Sequence, residues 1–275
     1  MLLTVLGGSS AGPNTRQGCS GYLVESGKTR VVLDLGPGTL PELRAHAEFR
    51  ALDAVILSHL HIDHCLDLFP LYWGLSTNPV RPARPTPVWL PPDGIIFVRD
   101  VAAALAGDAL ADNPLDDVLT LHEFEPDEPL EIGDLRLTFH PTIHYVSCWG
   151  IRVEDGAGRV LAYTADTDPG ADLSDLVRSA QAIVAEAMLV DSDGFRGSST
   201  AAEAAQLARD AGAETLILTH ISEEIGSEPP AARPNPSSLA GWRSPCPACR
   251  SSGDGRHRRD EQIKTGPALP IPSSG

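Results

Sequence analysis

The sequence predicts an α/β protein built on two packed β-sheets, and three observations carry that expectation. Over residues 1–222 short β-rich runs alternate with helical ones. The β-rich runs crowd both ends of this region and leave a middle segment between them. With 275 residues, 42% hydrophobic and 21% charged, the chain can also bury a sizeable core, which excludes a fibrous or wholly disordered protein.

The elements follow in order. Leu2–Leu6, Tyr22–Glu25 and Thr29–Asp34 read as short strands, punctuated by GGSSAG, SGK and GPG. Leu40–Phe49 reads as a helix, and Ala54–Leu57 as a buried strand that runs straight into a histidine cluster. The Pro-rich run Asn78–Pro92 reads as a loop rimming a pocket, where Tyr72, Trp73 and Trp89 would set substrate shape. Asp93 is placed to cap a helix over Ile95–Ala106, with Gly107 at its end. Strands return at Leu135–Phe139, Trp149–Val153 and Val160–Tyr163. Thr200-x-x-Glu203 is a capping box opening a helix to Ala211, closed by Gly212, and Leu216–Leu218 is a last strand ending at Thr219-His220.

The formal charge is −16. It lies almost wholly in residues 1–222, which hold 14 basic and 31 acidic side chains, a balance that opposes charge-driven binding to nucleic acid or anionic membrane. Residues 223–275 are rich in Pro, Ser, Gly and Arg and show no period. They offer too little apolar surface to offset their ordering entropy, so a disordered tail is expected beyond a single domain over 1–222. No apolar run reaches a membrane span, and Met1–Leu6 carries no signal-peptide pattern, so a cytoplasmic protein is expected. The odd set Cys19, Cys65, Cys148, Cys246 and Cys249 has no framework spacing and reads as free thiols.

The chemistry concentrates in SHLHIDHCLDL, residues 58–68. His59 and His61 are two apart and point to one side of an extended backbone, while Asp63 and His64 turn to a second point. Imidazole with carboxylate is a ligand set for zinc, with manganese or iron as alternatives. A solvated polar loop is the bland reading, but the cluster directly follows a buried strand. Four ligands in one loop do not complete two sites, so the remainder must come from other strand ends. His144 precedes a strand, Asp166 follows one in YTADTDP, and His220 ends another in LILTHIS. Singly, each has a plain alternative as a surface histidine, a turn former or a cap, and His140 is a rival to His144.

Taken together, the cluster, the later histidine, the aspartate after the YTxD strand and the terminal LTH resemble the metallo-β-lactamase superfamily. The nearest branch is the ribonuclease Z-like and cyclic-nucleotide phosphodiesterase-like one, over residues 1–222 and including TVLGGSSAGPN and VVLDLGPG. The resemblance implies a four-layer αβ/βα sandwich, with two packed mixed sheets flanked by helices. It further implies two metal ions, expected to be Zn2+. His59, His61 and His144 would hold one, Asp63, His64 and His220 the other, and Asp166 would bridge both. Asp34 would orient the histidines. A hydroxide between the metals would attack the ester, with Asp63 taking the proton.

The expected substrate is a small phosphodiester such as a cyclic nucleotide. His144 and Asp166 are only 22 residues apart, which leaves no room for the flexible arm that the resemblance implies in the branch's tRNA-processing members. The alternatives are tRNA 3′-end processing, hydrolysis of a carboxylic ester, lactone or sulfate ester, or a metal-binding member of weak or no activity. The last follows from Ser198, which stands where relatives often carry a proton-donating histidine. A homodimer is a further expectation, as dimers are common in the family.

Overall fold

The computed structural model describes residues 1–107, 109, 114–191 and 196–225. The expected tail therefore lies outside the described residues from 226 onward, as do Cys246 and Cys249. Among the described residues, twelve strands form two six-stranded sheets. In the first, β1 (Leu2–Gly7), β2 (Gly21–Ser26), β3 (Thr29–Leu35), β4 (Ala54–Ile56), β5 (Thr86–Leu90) and β6 (Leu119–Glu123) lie side by side in chain order. The second runs in the order β12-β11-β10-β9-β8-β7, from β7 (Leu130–Ile132), β8 (Leu135–Pro141), β9 (Trp149–Asp155) and β10 (Val160–Tyr163) to β11 (Ala182–Glu186) and β12 (Thr215–Thr219). Each sheet is mixed: β1-β2-β3 pair antiparallel and β3 through β6 parallel, while β7 through β10 pair antiparallel and β10-β11-β12 parallel.

Side-chain alternation along the strands builds the layers. Val24, Val31, Leu33, Ala54 and Ile56 face inward to meet Leu137, Ile151, Val153, Leu161 and Val184, forming the core between the sheets. Their neighbours Leu23, Val32, Val55 and Leu57 point the other way and are covered by α1 (Thr39–His46), α3 (Leu68–Thr77) and α4 (Gly94–Ala106). The outer face of the second sheet is covered by α5 (Ser174–Val177) and α6 (Ala201–Ala211) through Leu176, Val177, Ala204 and Ala208. The result is the layered αβ/βα sandwich. No helix among the described residues is long and apolar enough to cross a membrane.

Several local expectations need correction. The helix at Leu40 ends at His46, and Phe49–Ala51 is a separate 3-10 turn capped by Glu48. Asp93 precedes α4 but has φ +68° and makes no cap; the Glu123 carboxylate accepts from Ile95 N instead. The Pro-rich run is not simply a loop, since its second half is β5, whose Val88 and Leu90 are fully buried. Pro87 is accommodated because a proline takes extended φ and removes only one ladder donor. Tyr72 is 1% exposed in the first sheet's outer core, Trp73 packs on that core, and Trp89 stacks on His122. The capping box is formed as expected: Thr200 Oγ1 accepts from Glu203 N, and Glu203 Oε2 accepts from Thr200 N. Gly212 closes α6 at φ +67°.

Candidate metal centre

The site lies where strands of both sheets end. Asp34 stands near the end of β3 at φ +55°, a left-handed conformation that an aspartate tolerates better than most residues. This places its fully buried carboxylate under the loop after β4. Oδ1 accepts from Ser58 N at 2.7 Å. Oδ2 accepts from Ser58 Oγ and Tyr163 OH, each at 2.7 Å, and from His64 Nδ1 at 2.8 Å. Because the Ser58 hydroxyl donates to Asp34, it is left to accept from His59 Nδ1 at 3.0 Å. One carboxylate thus draws the Nδ1 proton of both His59 and His64 to the outside and turns both Nε2 lone pairs toward the same centre.

The other residues arrive from further strand ends. The loop from β8 to β9 brings His144, whose Nδ1 donates to the Gly197 carbonyl at 2.6 Å, leaving Nε2 3.0 Å from His61 Nδ1. Gly197 sits at φ +89°, and a Cβ there would lie 3.2 Å from that imidazole, so the approach requires glycine. Asp166 follows β10. His220 directly follows β12, at φ +56°. Its Nε2 lies 3.0 Å from Asp63 Oδ2 and 3.3 Å from Asp166 Oδ2. Asp63 lies in the first turn of the short helix α2 (Ile62–Cys65), and its Oδ2 accepts from Ala11 N at 2.9 Å, which ties the glycine-rich loop after β1 to the site. Gly36, just after β3, lets that chain also approach α2, since a Cβ there would lie 2.0 Å from the Asp63 carbonyl oxygen.

The structure gathers His59, His61, His144 and Asp166 into one group and Asp63, His64, Asp166 and His220 into a second. Within each group the donor atoms lie within 4.8 Å of one another, and Asp166 is common to both. His140 joins neither, as its Nε2 instead pairs with Thr138 Oγ1 on β8. Three described cysteines are free and buried; burial pushes Cys19 up to about 11 and Cys65 and Cys148 up to about 12, so these thiols stay protonated.

The electrostatics favour a cation. Burial, and then the neighbouring His64, hold His59 well below the ordinary imidazole range; burial and His144 lower His61. Burial opposes ionisation of Asp63, but the neighbouring His220 and His64 overcome it and keep the carboxylate ionised. Asp166 is likewise lowered against its burial by His64 and His220. His64 is itself raised well above its ordinary value, because Asp166, Asp34 and Asp63 outweigh its burial. The ion-pair partners of Asp63 and Asp166 are all histidines. His59 Nε2, His64 Nε2 and Asp166 Oδ1 are buried with no hydrogen-bond partner. Unsatisfied buried polar atoms are costly, and a divalent ion taking the place of the His64 proton relieves several at once. The donor set therefore fits one or more divalent cations.

One buried acid was not anticipated from sequence. Glu186 ends β11, is 1% exposed, and accepts from Thr167 N at 2.6 Å; burial, followed by Asp166, pushes it up to about 9. Its position after an apolar run, in AIVAE, was the available signal.

A model of the beta-lactamase superfamily domain matches residues 29–221. A probable metallo-hydrolase of Bacillus subtilis, YhfI, is 30% identical over 225 residues, covering 80% of this chain and 87% of that protein. Protein Rv1339 of Mycobacterium tuberculosis is 32% identical over 224 residues, 80% of each chain. The crystal structure of YhfI superposes with a TM-score of 0.71 at 29% identity, over 80% of this chain and 86% of that one. The short form of human tRNase Z superposes at 0.67 with 21% identity, over 81% and 93%, a likeness of fold.

Proposed function

The chain belongs to the beta-lactamase superfamily and is a metallo-hydrolase of it; on that premise we propose that it hydrolyses small phosphodiesters, such as cyclic nucleotides, at a pair of divalent cations. The observation that supports the pair is that Asp166 belongs to both ligand groups. His59, His61 and His144 would hold one cation, Asp63, His64 and His220 the other, with Asp166 between them. Zinc suits the imidazole-rich set, and manganese or iron are the alternatives. Such a pair supplies Lewis acidity to the phosphoryl oxygens and acidifies water near neutral pH.

The chain's own residues supply the rest. Asp34 and Ser58 fix the ring orientation of His59 and His64, and the Gly197 carbonyl does the same for His144. Ala11 N–H holds the Asp63 carboxylate in place, and Asp63 would receive the proton of the attacking water. Ser198 offers no substitute for an imidazole acid. Its hydroxyl is turned to Met188 Sδ at 3.8 Å, and the residue is 2% exposed. Departure of a poor leaving group therefore lacks an acid at that position, which favours esters with stable leaving anions.

Two features favour a small substrate over RNA. β9 and β10 occupy most of the stretch from His144 to Asp166, and residues 1–222 carry a net −17. Hydrolysis of bis(p-nitrophenyl) phosphate by the purified protein tests the reading. Activity lost on chelation and restored by zinc or manganese is expected. Cleavage of precursor tRNA, or of carboxylic esters alone, would transfer the reading to those substrates.

A further inference from the structure

Apolar side chains stand exposed in the chain next to two ligands of the centre. Ile62, one residue past His61, is 61% exposed, and Tyr145, one residue past His144, is 63% exposed. Ile143 and Val146 on either side of the His144–Tyr145 pair are exposed too. His61 Nδ1 and His144 Nε2 face each other at 3.0 Å, which brings the two stretches of chain together. Of the four tyrosines, Tyr22, Tyr72 and Tyr163 are buried, and Tyr145 alone presents its ring to solvent. That ring meets the edge of His144 with centroids 5.3 Å apart at 62°. A Cβ at Gly197 would lie 3.2 Å from it, so the same glycine that receives His144 leaves room for the tyrosine.

Resting on the phosphodiesterase reading, we propose that Tyr145, with Ile143 and Ile62, forms a stacking platform for an aromatic group, such as a nucleobase, on the non-leaving side of the phosphodiester. A phosphate at the metal centre puts its ester substituents within reach of the first neighbours of His61 and His144, which are these residues. The acidic chain has few cations with which to hold a polyanion, so affinity must come from contact with the uncharged part of the substrate. A tyrosine face accepts any base without reading its edge, and flanking aliphatic side chains extend the apolar contact. The platform therefore selects nucleotide-like or aryl diesters over alkyl ones without choosing between bases.

The test compares two esters with one leaving group, the p-nitrophenyl ester of thymidine 5′-monophosphate and methyl p-nitrophenyl phosphate. Tyr145→Ala is expected to lower the ratio of their kcat/KM values roughly 10-fold, through KM for the thymidine ester, and Tyr145→Phe to preserve it. Equal loss on both esters, or none, overturns the platform. Calorimetry of the metal-loaded protein with thymidine 5′-monophosphate and with methyl phosphate reads it without turnover. Selective weakening of the thymidine ligand in Tyr145→Ala upholds the platform even if neither ester is hydrolysed, an outcome that would instead remove the phosphodiesterase reading. Equal affinities in the variant and the parent overturn it.

Discussion

Asp34 is the residue on which the centre's geometry turns, because four donors converge on its two oxygens. Replacing it by asparagine keeps the volume but puts a donor where Oδ2 accepts from Ser58, His64 and Tyr163. His64 must then give up its orientation or its tautomer. Asp34→Asn is expected to weaken zinc binding by roughly 10- to 100-fold in competition with a chromogenic chelator, the usual effect of losing a residue that orients a ligand. Unchanged affinity would show that packing alone orients the histidines. The role of Asp34 as an orienting residue was suggested by family resemblance, whereas the hydroxyl of Ser58 as an intermediary to His59 was not anticipated. A serine next to a histidine carries no signal of what lies beneath it, and here that partner is 24 residues away.

At the scale of elements, legibility followed local chemistry. Thr200 and Glu203 satisfy one another across a single turn, so the start of α6 was readable from spacing. β5 was hidden because prolines dominate its approach, and only its parallel neighbours β4 and β6 make Thr86–Leu90 a strand. The turn between β9 and β10 makes a prediction of its own. Asp155 Oδ1 accepts from Ala157 N and Arg159 N at 3.0 Å, and Oδ2 from Arg159 Nε at 2.7 Å. Burial alone would raise this carboxyl, but those bonds hold it down at about 2 against an ordinary 3.8. A lowered folded-state value stabilises the fold above the unfolded value, so its contribution is complete above pH ~4 and is lost as pH falls toward 2. In Asp155→Asn, thermal melts should show a shallower loss of Tm than the parent across that window. Parallel pH profiles for the two proteins would contradict the assignment.

For the whole molecule, the site exists only because two sheets end together. Asp63 and His220 are 157 residues apart, and Ala11, Asp34, His144 and Asp166 come from four further stretches of chain. The cluster at 59–64 was legible because those residues are adjacent; the rest were legible only as a set ordered like a known family. Glu186 and Tyr145 were not legible, since one looks like the end of an apolar run and the other like an ordinary loop residue until the sheets bring them to the centre. The most direct test of the account is the metal content of the purified protein and of Asp166→Ala by inductively coupled plasma mass spectrometry. About two divalent ions per chain are expected in the parent, with a marked fall in the variant, whose two groups lose their common member. A metal-free parent after supplementation with zinc, or a variant that keeps both ions, would contradict the dinuclear centre.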